Sequence, residues 1–304
     1  MGILQVALFG GMRVTHNNWL TEVIMTREIQ ALLAYLLLQR QRVHSREVLA
    51  GIFWGEHSQE KARGSLNTAL WKLKKALEPE GIPTGTYLKN THLSEVGFNK
   101  ESPYWLDIEV FEREVNRILA CPFPTVEEIQ IIDLEKVLEL YRGELLEGFY
   151  DNWAVRERER LRALHLRSLA YLLQYYGFHG VCEKAITYGQ QVLELDPLRE
   201  EIHREMMRLY LKTGQRALAL RQYENCRSAL TKEFGISPME DTQTLYSQIF
   251  TESERSRLLQ GSEEQINIDQ ALRQLKEADR AINLAKEQIQ QTLQLIGKFS
   301  EPPE

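Results

Sequence analysis

The most constraining feature of this 304-residue chain is a repeat. Leu172, Tyr176, Gly180 and Ala185 recur 34 residues later as Met206, Tyr210, Gly214 and Ala219. A period of that length is one helix–turn–helix unit, which cannot bury its apolar face alone and must stack on a neighbour. The residue types fit the geometry. An aromatic ends the first helix of each pair, Gly accepts the positive φ of the turn, and Ala sits where two backbones come close. Asp196-Pro197 closes the first unit, and the second runs on to Pro238 through an added Phe234-Gly235-Ile236. Apolar spacing predicts helices over 127–141, 153–176, 181–195, 199–213, 217–234 and 239–251, so this part of the chain is expected to be all-α.

The first hundred residues read differently. Ile3–Phe9 alternates and is β-rich, and Gly10-Gly11 turns the chain into Met12–Thr15, which predicts a hairpin. Thr26 is a candidate N-cap for a helix over Arg27–Gln39 whose buried face is Leu32, Leu33, Leu36 and Leu37. Ser45 caps a second helix, Arg46–Trp54. A polar loop, Trp54–Gln59, leads into a third helix, Glu60–Leu77. Tyr87–Asn99 then supplies two strands about a turn near Asn90–His92. Strands, three helices and a closing hairpin, with a basic helix third, are in the order of a winged helix, whose third helix enters the major groove.

That third helix is the best candidate for function. Leu66, Leu70, Leu73 and Leu77 form one apolar stripe. The opposite face carries Lys61, Gly64, Thr68, Trp71, Lys72 and Lys75, flanked by Asn67, with no carboxylate after Glu60. A solvated helix in an acidic protein normally interleaves both signs. A one-signed face with Asn and Thr among the cations suits phosphates and base edges. The candidate DNA contacts are therefore Arg46, Lys61, Arg63, Asn67, Thr68, Trp71, Lys72 and Lys75, joined by Lys89, Thr91 and His92 of the hairpin. Charge is distributed to match. The chain is −6 overall, yet residues 1–100 hold 12 Lys and Arg against 8 Glu, a net of about +4, leaving about −10 for the rest. A basic module joined to acidic protein-interaction modules has this asymmetry.

Other chemistry has little support. The chain lacks the GxxxxGK, HExxH and GxSxG patterns, so neither an enzyme nor a cofactor or small-molecule substrate is expected. Cys121, Cys182 and Cys226 are widely spaced and lack metal-ligand spacing, which reads as structural thiols in a reducing compartment. No apolar run approaches membrane-spanning length and no leader pattern opens the chain, so a cytoplasmic protein without a membrane partner is expected. Asp107 reads as a helix cap rather than a catalytic acid. The Arg156–Arg167 cluster alternates with Glu and reads as a salt-bridged, solvated helix.

LFGGMRV, REIQALLAYLLL, the Ser45–Trp54 segment and ARGSLNTALWKLKKAL ahead of a hairpin resemble the OmpR-type winged helix. In particular they are similar to the version in the SARP (antibiotic regulatory protein) class of bacterial activators. Pro103–Phe111 (PYWLDIEVF) is similar to the junction that follows it there. Where family members often carry arginines on the recognition helix, this chain has Lys72, Lys74 and Lys75, which are phosphate point charges rather than bidentate readers. LYRGELLEG, the RERERLR run, ELDPLREEIHREMMRLY, TGQRALALRQYENCRSAL and FGISPMEDTQTLY resemble the bacterial transcriptional activation domain, built from tetratricopeptide-like pairs. The resemblance implies a transcription activator that binds double-stranded DNA and contacts RNA polymerase, for which Trp54–Gln59 is the candidate loop.

The expected architecture is mainly α. It comprises an α+β winged helix over residues 1–100, an all-α tetratricopeptide-like domain over 103–250 and an amphipathic, coiled-coil-like helix over 262–298. In that tail Leu272, Leu275, Ile282, Ile289, Leu293 and Ile296 form a seam interrupted by Asp279 and Lys286. An antiparallel homodimer would set Asp near Lys; the alternatives are a foreign partner helix and a cap folded onto the repeats. The second functional reading is an interaction scaffold whose winged helix no longer binds DNA, consistent with the acidic whole.

Overall fold

The structure, a computed structural model, describes residues 3–16, 19–20, 25–91, 94–121, 123, 125–251, 270–278, 280, 282, 286 and 289. His92 and the tail positions Asp279, Leu293 and Ile296 lie outside them. Two compact units divide the chain, residues 1–196 and 197–304.

The first unit opens with a four-stranded sheet. β1 (Leu4–Ala7) pairs antiparallel with β2 (Arg13–His16), and β2 with β3 (Trp19–Leu20). α1 (Arg27–Leu38), β4 (His44–Ser45), α2 (Arg46–Trp54) and α3 (Gln59–Leu77) follow. β5 (Leu88–Thr91) and β6 (Glu95–Phe98) form the wing, to which β4 adds a third strand beside β6. Asn90 and Thr91 are still paired, with Val96 and Glu95, so β5 runs into the segment near Asn90–His92 where the turn is expected. β7 (Tyr104–Leu106) returns to the first sheet and pairs parallel with β1, giving the order β3-β2-β1-β7.

α1 is buried on more sides than a surface helix. Ile29, Ala31 and every residue from Leu32 to Leu37 are buried. Thr26 occupies its N-cap position, but its side chain makes no capping bond to the backbone. Its hydroxyl hydrogen-bonds Glu28 instead, which is the first cause holding that carboxyl below its usual range. Ser45 does cap α2, its hydroxyl accepting from the Glu47 N–H at 3.2 Å.

The same unit continues through α4 (Asp107–Leu119), α5 (Glu128–Leu138), α6 (Asn152–Phe178) and α7 (Cys182–Leu195). Asp107 is not the cap: Leu106 holds that position without a side-chain capping bond, and Asp107 is the first residue of α4. One carboxylate oxygen accepts from the Ile108 N–H at 2.7 Å, while the other accepts from the N–H groups of Leu8 (2.8 Å) and Phe9 (3.0 Å). It ties the end of β1 to the start of α4. Farther on, Gly10 donates to the Glu144 carbonyl and Leu146 to that of Leu8. The loop that receives this strand holds Leu146 at φ +50, an uncommon value for a residue with a Cβ. Arg158 fixes the loop, donating to the carbonyls of Leu145, Leu146 and Phe149 at 2.9 Å each. The solvated-helix reading thus fails at Arg158, whose side chain is 11% exposed. It fits Arg160 and Arg162, which pair with Glu157 and Glu159. Trp153 of α6 packs edge-on against Tyr35 of α1 and Phe53 of α2.

α6 and α7 form the first helix pair; in the second unit α8 (Glu200–Lys212) and α9 (Arg216–Phe234) form the other, followed by a helix over 240–251, here α10. Tyr176 and Tyr210 are buried alike, and Ala185 and Ala219 are fully buried. Gly180 and Gly214 adopt φ +75° and +73°, the left-handed values that end each first helix. The six-residue turn bond is the same in both: Val181 N–H to the Tyr176 carbonyl at 2.9 Å, and Gln215 N–H to that of Tyr210 at 2.7 Å. No described helix is long and apolar enough to cross a membrane.

Candidate nucleic-acid interface

α3 is divided cleanly between core and surface. Leu66, Leu70, Leu73 and Leu77 point into the core with Ala62, Ala69 and Ala76. Lys61, Arg63, Gly64, Asn67, Thr68, Trp71, Lys72 and Lys75 are exposed. The separation follows from helical periodicity, since seven buried positions at 3–4 spacing leave one continuous outer face. Trp71 is 62% exposed, unusual for the largest apolar side chain, and Lys75 lies over its ring at 5.4 Å from the centroid. That contact holds the indole as a ready stacking or groove-wall surface.

The candidates are not equally available. Among the described residues, Lys61, Lys72, Lys75 and Lys89 have no carboxylate within ion-pair distance. Arg63 does, pairing with Glu47 of α2, so its charge is already offset. Thr68 donates its hydroxyl to the Gly64 carbonyl of its own helix, leaving its oxygen lone pairs and methyl outward. Arg46, at the start of α2, reaches Asn67 of α3 at 2.7 Å and Asn90 of β5 at 3.3 Å. Lys89 is exposed on the wing, and Thr91 ends β5 opposite Glu95. Asn90 was not a candidate from sequence. Its signal is a strand position filled by a residue type that strands disfavour.

Beside α3 lies a groove of about 640 Å³, lined by Thr26, Glu28, Trp54, His57, Lys61 and Lys72 among others. Glu28 is the one carboxylate facing it among the described lining residues, and Lys72 contributes to holding its pKa low. The groove joins the Trp54–Gln59 loop to the basic face.

Among the described residues no cluster of three His, Cys, Asp or Glu could hold a metal. The three cysteines are free thiols, and burial pushes that of Cys226 up to about 11.

The chain thus joins a winged helix with an exposed basic face to two helix pairs. Residues 106–250 match the bacterial transcriptional activator domain, in keeping with the resemblance to SARP-class regulators. The chain is similar to the regulatory protein AfsR of Streptomyces griseus, at 26% identity over 227 residues, 74% of this chain and 22% of that protein. AfsR of Streptomyces coelicolor is 26% identical over 252 residues, 82% of this chain and 24% of that protein. The chain thus spans about a quarter of the length of those relatives. The transcriptional regulatory protein MoaR1 of Mycobacterium tuberculosis is 23% identical over 238 residues, 74% of this chain and 72% of that one. In fold, the chain is similar to EmbR of Mycobacterium tuberculosis, solved in complex with a low-affinity phosphopeptide. The TM-score is 0.66 at 20% identity, covering 83% of this chain and 66% of that one.

Proposed function

We propose that this chain is a transcription regulator that binds duplex DNA, with α3 in the major groove and the wing beside the backbone. The observation that carries the reading is the outer face of α3, where Lys61, Lys72 and Lys75 stand unpaired among the described residues around Asn67, Thr68 and Trp71. Residues 1–100 carry the DNA-binding part, 103–250 the helical repeats and 262–298 the tail helix. The groove that joins the basic face to Trp54–Gln59 makes that loop the candidate contact for RNA polymerase. The acidic remainder of the chain is directed to protein partners, since its charge would repel phosphate.

Selection of bound sequences from random duplex DNA by the full chain tests the reading, and a salt titration sharpens it. Lys72→Ala with Lys75→Ala should lower the slope of log K against log [salt] by about 1.8, at about 0.9 per phosphate contact. An unchanged slope removes α3 from the interface. In the tail, Leu272, Leu275, Ile282 and Ile289 are 49–67% exposed, so the described part of the seam is uncovered. We assign it to an antiparallel pairing with a second copy. Sedimentation should give a dimer for the full chain and a monomer for one ending at residue 260; two monomers exclude the dimer.

A further inference from the structure

Arg46 sits where α2, α3 and the wing meet. Its backbone N–H donates to the Ser94 carbonyl at 2.9 Å, next to the pairing of Ser45 with Glu95 that joins β4 to β6. From that anchor the side chain passes between recognition helix and wing. Nη1 donates to Asn67 Oδ1 at 2.7 Å, Nη2 donates to Asn90 Oδ1 at 3.3 Å, and Nε is buried without an acceptor. The guanidinium fork is turned toward the protein rather than presented as a free phosphate clamp.

A guanidinium only donates, so the amide oxygens of Asn67 and Asn90 have to face it. The orientation of Asn67 is therefore fixed by chemistry, with its Nδ2 hydrogens directed away from Arg46. An asparagine reads adenine with both ends of its amide, the oxygen accepting from N6–H and the nitrogen donating to N7. Arg46 takes one of the two lone pairs of that oxygen and sets a cation beside the other, where an incoming N6–H would meet like positive charge, so the end of Asn67 left open to a base is the donor. Guanine is the base whose major-groove edge offers two adjacent acceptors, N7 and O6.

We propose that Arg46 is a positioning residue that turns the donor end of Asn67 to the bases, so that the base beneath Asn67 is guanine rather than adenine. This rests on the reading of α3 as a major-groove helix. It separates Arg46 from the phosphate contacts, a distinction that salt dependence and base preference report independently.

The experiment uses the full chain. Bound sequences are selected from random duplex DNA by the wild type and by Arg46→Met, Asn67→Ala and Asn67→Asp, with the salt slope measured for each and folding checked by circular dichroism. The position under Asn67 is the one whose preference disappears in Asn67→Ala. It should be guanine in the wild type and move toward adenine by about tenfold in Arg46→Met, which frees the amide oxygen. The salt slope should stay unchanged in that variant. Asn67→Asp keeps an acceptor for Arg46 but removes the donor, so it should abolish the guanine preference even if Arg46→Met fails to fold. A slope lowered by about 0.9 in Arg46→Met with base preferences intact makes Arg46 a phosphate contact and overturns the proposal. Guanine preference surviving in Asn67→Asp overturns it as well. A wild-type chain that binds no duplex DNA overturns the underlying reading, and the proposal with it.

Discussion

The two helix pairs, α6–α7 and α8–α9, share a backbone plan and differ in how polar groups tie them down. Both turn on a left-handed glycine and both meet at a fully buried alanine. In the first pair Tyr176 and Tyr188 each donate a hydroxyl to Glu135 of α5 at 2.7 Å, and Lys184 joins at 3.1 Å. In the second pair the positions 34 residues on from Lys184 and Tyr188 hold Leu218 and Gln222. Here Gln222 meets His203 at 2.7 Å, and Glu200 of α8 accepts from Met239 and Thr242 at the start of α10. The first pair is tied back to the helix before it, the second forward to the helix after it. The repeat specifies the turn and the close approach; the buried polar groups specify which neighbour each pair takes.

Overpacking should affect both pairs most. Ala185→Trp and Ala219→Trp each add a large ring at a fully buried site, and each should cost more than about 3 kcal/mol, the upper end for overpacked cores. Thermal melts followed by circular dichroism read this directly. A variant of one pair that melts like wild type would show the two alanines not to be equivalent.

The buried histidines should separate the pairs by pH. His165 stacks on Tyr141 with centroids 4.0 Å apart, and its Nδ1 is buried without a partner. Burial lowers its pKa from 6.5 to about 4. The unfolded chain takes up a proton that the folded chain refuses, so stability is intact above about pH 6.5 and falls as pH drops toward 4, by about 3 kcal/mol. His203 is also lowered by burial, but its contacts with the Pro197 carbonyl and Gln222 oppose that shift. Denaturant titrations from pH 7 to 4 should flatten strongly in His165→Leu and less in His203→Leu. Equal flattening would mean that the extra hydrogen bonds do not matter.

The smallest expected effect is at Glu135. Burial pushes its carboxyl up, but the bonds from Tyr176, Tyr188 and Lys184 outweigh burial and hold it below the usual carboxylate range. Glu135→Gln keeps the shape and removes the charge, and should cost about 1–3 kcal/mol. Glu200→Gln is the matched change in the second pair. A loss seen only at Glu200 would leave the tie to α5 without energetic weight.

Local features of the fold were legible in the sequence. α2 spans Arg46–Trp54 as capping and periodicity predict, and the repeat gave both glycines and both alanines. What escaped was non-local or too short to carry a period. β3 and β4 are two residues each, and β7 pairs with a strand about a hundred residues earlier. Asp107 reads locally as a cap because the Leu8 and Phe9 N–H groups that it also accepts lie 98–99 positions away. Arg158 looks like one more surface arginine until the carbonyls of 145–149 are brought to it. On α3 the outer face could be read from the leucine stripe alone. The roles of Arg46 and Arg63 could not, since their partners Asn67, Asn90 and Glu47 come from other elements.

The parallel pairing of β1 with β7 imposes an order in time. The first strand leaves the ribosome early, but Tyr104–Leu106, Asp107 and the 144–147 segment, which complete its pairing, do not yet exist. At about 5–20 residues per second the wait for β7 alone is roughly 5–20 s, far longer than helices need to form. α1 to α3 therefore emerge onto a sheet that lacks its fourth strand, with Leu8 and Phe9 still uncovered. The winged helix of a nascent chain is finished only once the start of the helical domain has been made, so a chain released early would carry an unfinished sheet.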